Sequence, residues 1–174
     1  MPDVDFSRVP AFYHRYINLV PQHGISEALA YYPSAVQHFL RSIPEDRWPY
    51  RYAEGKWSIK EVVQHLIDAE RIFSYRALRF ARKDKTELPG FEENGYAAAS
   101  EAGRRTSESL MAELATVQQS SVQLFGSFSE EQLEQGGKAN GNAVYVRAIG
   151  FIIAGHALHH VAIIRERYGV IDAG

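Results

Sequence analysis

Gly155-His156-Ala157-Leu158-His159-His160 stands inside the apolar run 144–164 and places three of the chain's seven histidines within five residues. A run of that length and composition reads as a helix. On a helix, His156 and His160 lie one turn apart on the same face, the spacing that offers two imidazoles to one metal ion. His159 is turned about 100° from His160 and falls outside that pair. Tight binding of a first-row divalent metal needs a third protein ligand, and a reactive site keeps a further position open. A second helix must supply that ligand.

Ser58-Ile59-Lys60-Glu61 fits a capping box and predicts a long helix to about residue 83, spanning about 39 Å. The face that carries His65 also carries Val62, Ala69, Ile72, Arg76 and Arg79, apolar in its first half and basic in its second. Phe73, Tyr75, Ala77 and Phe80 fall on other faces, which predicts a second packing surface and a homodimer built on it. A lone histidine on an apolar face is more often a hydrogen-bonded core residue than a ligand. Two more on another greasy helix change the balance, because one shared metal relieves the desolvation of all three. His65 is thus the natural third ligand beside His156 and His160. Asp68, one turn on, is placed either to orient an imidazole or to stay solvated, and Arg76 and His159 are expected to support the site or wall its pocket. His14, His23 and His38, in the early segments, read as surface or packing residues.

Residues 8–20 predict a short helix with Pro10 in its first turn, ended by Pro21 and Gly24. From Ser26, the period Leu29, Tyr32, Val36, Phe39, Leu40 predicts a second helix, and Pro33 inside it predicts a kink or a late start. Residues 45–57 read as an extended, packed connection. Residues 84–100 show no period and form a candidate lid. Leu110, Leu114, Val117, Ser121, Leu124 and Phe128 mark a third long helix over 104–128. Residues 136–142, Gly-Gly-Lys-Ala-Asn-Gly-Asn, read as a loop without the Gly-Lys-Ser/Thr ending of a phosphate loop, and the last long helix is expected over about 142–168. With no convincing strand and no repeat, the fold class is all-α: one domain, a helical bundle whose core is a usual place for metal ligands.

The sequence contains no cysteine, which excludes thiolate nucleophiles, disulfides and Cys-type metal sites and leaves nitrogen and oxygen as ligands. The first residues have neither a basic nor an apolar targeting region, so cytoplasmic residence is expected. The run 143–164 is near membrane-spanning length but carries Arg147 and three histidines, so it reads as a core helix with no membrane role. A net charge of −2, and arginines spread around the long helix, give no footprint for nucleic acid. Ala157 stands where a His-Glu-x-x-His protease helix needs its glutamate, and no Gly-x-Ser-x-Gly elbow exists.

Four stretches together resemble the DinB-like (YfiT-like) family of metal-dependent proteins, related to bacillithiol S-transferases and mycothiol-dependent isomerases. They are Arg51-Tyr52-Ala53-Glu54-Gly55-Lys56-Trp57-Ser58-Ile59-Lys60-Glu61; His65-Leu66-Ile67-Asp68; Glu70-Arg71-Ile72-Phe73 with Tyr75-Arg76-Ala77-Leu78-Arg79-Phe80-Ala81-Arg82; and Ala154-Gly155-His156 with His159-His160. The resemblance extends over about residues 25–168. It implies an up-down-down-up four-helix bundle, often dimeric, with a divalent metal ion, typically nickel or zinc, on three histidines that map onto His65, His156 and His160. The stretch Phe91-Glu92-Glu93-Asn94-Gly95-Tyr96 departs from the family pattern at Glu92, where aspartate is commoner, and at Gly95. The chemistry expected is thiol S-transfer: a low-molecular-weight thiol binds the open metal position, its pKa falls, and the thiolate attacks a small electrophilic substrate. Two alternatives stand beside it, a metal-dependent hydrolase and a stress-related metal-binding or interaction protein without turnover.

Overall fold

The computed structural model describes residues 1–170. In order, the chain forms α1 (Ala11–Ile17), α2 (Ile25–Arg41), α3 (Ile59–Ala81), α4 (Glu93–Ala99), α5 (Ser107–Gly126), α6 (Glu130–Leu133), strands β1 (Gly136–Ala139) and β2 (Asn142–Tyr145), and α7 (Val146–Tyr168). The four long helices α2, α3, α5 and α7 make an all-α four-helix bundle in which α2 and α3 each pack on both α5 and α7, while α1 lies along α7.

α3 starts where the capping box predicts. The Ser58 hydroxyl accepts from the Glu61 amide, and the Glu61 carboxylate accepts from the Ser58 amide at 2.7 Å. Arg51 pairs with the same carboxylate and also donates to the Lys56 carbonyl, clipping the irregular connection 45–57 onto the helix. That connection contains one 3-10 turn and buries Trp48.

Three expectations are corrected. α2 begins at Ile25, ahead of Pro33, and runs through it to Arg41. An interior proline costs a helix about 3 kcal/mol, but Ile25, Leu29, Tyr32, Val36, Phe39 and Leu40 are all buried on one stripe, each contributing about 1.5–3 kcal/mol. Residues 136–145 are a β-hairpin rather than a loop and a helix start, with Gly136 opposite Tyr145 and Ala139 opposite Asn142. Its turn, Asn140-Gly141, has positive φ at both positions, 51° and 73°, as a two-residue hairpin turn requires. Leu88 then bridges to Ala139 on the outer edge of β1, so the connection 84–100 is pinned near its start and carries α4 in its second half.

Phe73 and Phe80, the residues behind the expected dimer face, are covered within the chain. Phe73 packs edge-on to Tyr13, and Phe80 faces Gly137, where an added Cβ would stand 2.3 Å from the ring. α1 and the hairpin thus cover Phe73 and Phe80, while Tyr75 stays half exposed. α7 is long and apolar enough to cross a membrane by length and composition, yet 67% of its most apolar stretch is buried inside the protein. It is apolar all round because neighbours surround it.

Candidate metal centre

Two helices bring the three histidines together. α3 contributes His65, and α7 contributes His156 and His160 from successive turns. The His156 Nε2 lies 3.1 Å from the Nε2 of His65 and 3.1 Å from that of His160. One ligand atom from each ring falls within 4.8 Å of the others. Nitrogens bound to one first-row ion at about 2.0–2.1 Å stand about 2.9–3.4 Å apart, so two of the three separations already match.

The protonation chemistry fits the same group. Burial pushes the His65 imidazole down to about 4. Burial, then the neighbouring rings, push His156 and His160 well below the ordinary histidine value. All three rings are therefore neutral at pH 7 and offer lone pairs. Without a cation the arrangement is poorly satisfied: the His156 Nε2 has a single lone pair for two neighbours, and the buried Nδ1 of His160 has no hydrogen-bond partner among the described residues. A cation accepting all three Nε2 lone pairs removes the first of these conflicts and leaves the His160 Nδ1 as it is.

Aromatic rings hold the imidazoles in place. Trp57 packs on His65 with centroids 4.9 Å apart, and Tyr16 stands edge-on to His156 at 5.4 Å. Tyr16 reaches α7 because Gly155 has no side chain: a Cβ there would lie 1.9 Å from the Tyr16 carbonyl oxygen. His159 belongs to this support, edge-on to Tyr16 at 5.1 Å and outside the cluster of three.

Two cavities reach the cluster. One, of about 160 Å³, is walled by Tyr13, Arg15, Tyr16, His65, Phe73, Arg76, Phe91, Glu93, Asn140 and His156. The other, of about 190 Å³, is walled by Tyr52, Lys56, Trp57, Asn94, His160, Ile163, Arg167 and Tyr168. Two larger surface grooves, of about 520 and 530 Å³, touch none of the three histidines. Arg76 lines the first of these cavities. Asp68 does not orient an imidazole: its carboxylate accepts from the Gln64 amide at 3.0 Å and lines one of the remote grooves with Arg71 and Arg105. His14 and His23 bind the carbonyls of Val9 and Met1, and His38 is exposed.

Several wall residues come from outside the long helices, among them Phe91, Glu93 and Asn94 from the candidate lid 84–100. Asn140 is the first turn residue of the hairpin. Glu93 and Asn94 open α4, so one short helix borders both cavities. Glu92 caps that helix by accepting from the amides of Asn94 and Gly95. A Cβ on residue 95 would stand 3.0 Å from the Glu92 carboxylate, the flexible end of the capping side chain.

YfiT from Bacillus subtilis, a probable metal-dependent hydrolase with an unusual four-helix bundle topology, superposes with a TM-score of 0.69 over 95% of this chain and 91% of its own, at 15% identity. YjoA, a DinB-like protein from the same organism, gives 0.60 over 83% and 89% at 19% identity. No curated protein matches the sequence. At these identities the two superpositions establish the fold. The DinB superfamily pattern matches residues 28–164, which contain all three histidines, and the chain belongs to the DinB superfamily.

Proposed function

We propose that the protein holds a divalent metal ion on His65, His156 and His160 and is a metal-dependent enzyme that transfers a low-molecular-weight thiol to an electrophile. The observation that carries this reading is the pair of cavities, lined by different residues, that reach the cluster from different members, one at His65 and His156 and the other at His160. A transferase has two organic substrates to seat, whereas a hydrolase seats one and draws the other from solvent. Three imidazoles suit nickel or zinc. The bound ion supplies Lewis acidity toward a thiol or a water. The chain itself supplies aromatic walls that exclude water from the rings, and a carboxylate, Glu93, at the rim of the smaller cavity where it can take up a proton. Charge and composition are consistent with a cytoplasmic protein acting on small molecules rather than on nucleic acid or membrane.

Hydrolysis is the second reading, favoured by that same Glu93, since a carboxylate beside a metal-activated water is the usual general base; it would make the chain like YfiT in activity as well as fold. Purified metal-loaded protein, incubated with a thiol and a generic electrophile, separates the two. Thiol loss above the uncatalysed rate is expected. Product without thiol loss means hydrolysis, and neither means a binding protein without turnover. His65→Ala should remain helical and lose stoichiometric metal by elemental analysis, and full occupancy in that variant would sink the three-histidine site.

A further inference from the structure

Arg76 is 5% exposed and lies on the wall of the cavity that His65 and His156 also line. One of its terminal nitrogens donates to the Pro89 carbonyl at 2.9 Å. No carboxylate among the described residues pairs with it. Arg147 shows the contrast: with a side chain 12% exposed, it is met by Asp3, Glu130 and Glu134. A desolvated guanidinium whose partners are the Pro89 carbonyl, the Tyr13 hydroxyl and the Phe73 ring, none of them charged, is costly to keep, and an anion is what removes the cost.

Tyr13 stands on the same wall, its phenol pushed up by burial while the Arg76 charge opposes the rise, which places the guanidinium within electrostatic reach of the hydroxyl. The cavity is thus lined by two hydrogen-bond donors, Arg76 and Tyr13, by the aromatic rings of Phe73 and Phe91, and by the imidazoles of His65 and His156. Glu93 is exposed at the rim and forms no ion pair with Arg76, so it does not fill the role of the missing anion.

Shape selects among anions. At about 160 Å³ the cavity is close to one of about 150 Å³ that admits benzene. Flat aromatic walls and a planar guanidinium fork match a planar carboxylate, which the fork can grip at both oxygens. A tetrahedral phosphate has the charge without the flat face.

We propose that this cavity binds a small planar organic acid by its carboxylate, with Arg76 as the anchor and Tyr13 as the second donor, so that the substrate's other end faces His65 and His156. As a statement about the electrophile the proposal rests on the metal-enzyme reading above; as a statement about binding it does not. The test is calorimetric titration of benzoate into the full-length protein, both metal-free and zinc-loaded, with benzamide and inorganic phosphate as comparison ligands. Benzoate should saturate at one per chain in both metal states and bind at least about tenfold more tightly than benzamide. Arg76→Met should lose at least about tenfold, and Tyr13→Phe, which leaves packing intact, about threefold or more.

Benzoate bound only by the zinc-loaded form, and equally by Arg76→Met, would overturn the proposal by sending the carboxylate to the metal. Tighter binding of phosphate than of benzoate would overturn the assignment of the acid, and no binding of either would overturn the site. Should Arg76→Met lose its helical circular dichroism, Tyr13→Phe and the benzamide comparison decide the matter. Zinc content is measured separately, so a failure of the metal centre leaves the metal-free benzoate result standing.

Discussion

Gly155→Ala tests how the N-terminal segment is held over the histidines. An alanine Cβ at this position would lie 1.9 Å from the Tyr16 carbonyl oxygen, where ordinary contact begins at 3.4 Å, so about 1.5 Å of movement is needed. The carbonyl cannot simply swing away, because it accepts from the Leu19 amide at 3.0 Å in the turn that ends α1. Forcing the backbones apart costs about 1–3 kcal/mol, with the upper end expected for a contact to main chain. Lifting α1 off instead exposes Ile17, which is fully buried, at about 1.5–3 kcal/mol. Against either stands the helix preference of alanine over glycine, about 1 kcal/mol. The net expectation is a loss of about 1–2 kcal/mol, read by urea unfolding of the metal-free protein. The same movement takes Tyr16 off His156 and His159, so zinc should bind about tenfold more weakly, the lower range for loss of a supporting group. If stability rose by the propensity gain alone and zinc affinity held, α1 would not press on α7 as described.

His160→Ala should abolish stoichiometric zinc binding, while His159→Ala, which removes only a ring packed on Tyr16, should weaken it by about tenfold at most; parallel zinc titrations of the two metal-free variants check this. Glu70 is buried in the bundle, accepts from the Tyr32 hydroxyl at 2.6 Å, and is pushed up by that burial to about 7. The folded state therefore holds its proton more tightly than the unfolded chain, and its contribution to stability is complete below about pH 4.5 and lost as pH rises through about 7. Glu70→Gln keeps the acceptor for Tyr32 and removes the titration. It should gain on the wild type by up to about 3 kcal/mol between pH 5 and pH 8, and a difference that stays constant across urea titrations in that range would contradict the assignment. The three buried histidines act in the opposite sense on both proteins, destabilising as pH falls below about 6.5, and so cancel in the comparison.

The frame and the three histidines were legible because each rests on local order. The long helices repeat their apolar residues at helical period, and His156 and His160 are one turn apart wherever that helix lies. His65 needed one further step, the assumption that two apolar helix faces meet. Phe73 was misplaced for a reason that periodicity does not contain: α3 has neighbours on more than one side, and Tyr13, sixty residues away in sequence, covers the Phe73 ring. The hairpin was missed because Gly136 and Gly137 have no side chains to alternate, and Gly137 is small so that Phe80 can lie against it. Its one sequence signal, Asn140-Gly141, was on the page. Gly155 could be read only as part of a family stretch, since its purpose depends on a carbonyl from α1.

What was not legible is the wall of the cavity beside the histidines. The ligating set needs only α3 and α7, elements of the frame, and a superposition at 15% identity can preserve them. The walls of the smaller cavity come largely from outside the frame: Tyr13 and Tyr16 from α1, Glu93 from α4, and Asn140 from the hairpin turn. These pieces are short, held by single devices such as Gly155 under Tyr16 or Glu92 over Gly95, and one substitution can move them without disturbing the bundle. A change of metal ligand would end the centre, whereas a change in these segments would leave it intact and present it to a different molecule. Arg76 joins the two levels. Its backbone belongs to α3, but its one carbonyl partner, Pro89, belongs to the pinned connection, so the charge that lines the cavity is aimed by a segment outside the four long helices. Under the proposed function, substrate class is therefore to be read from Arg76 and the segments around it, and the histidines fix only the place where a metal would be held.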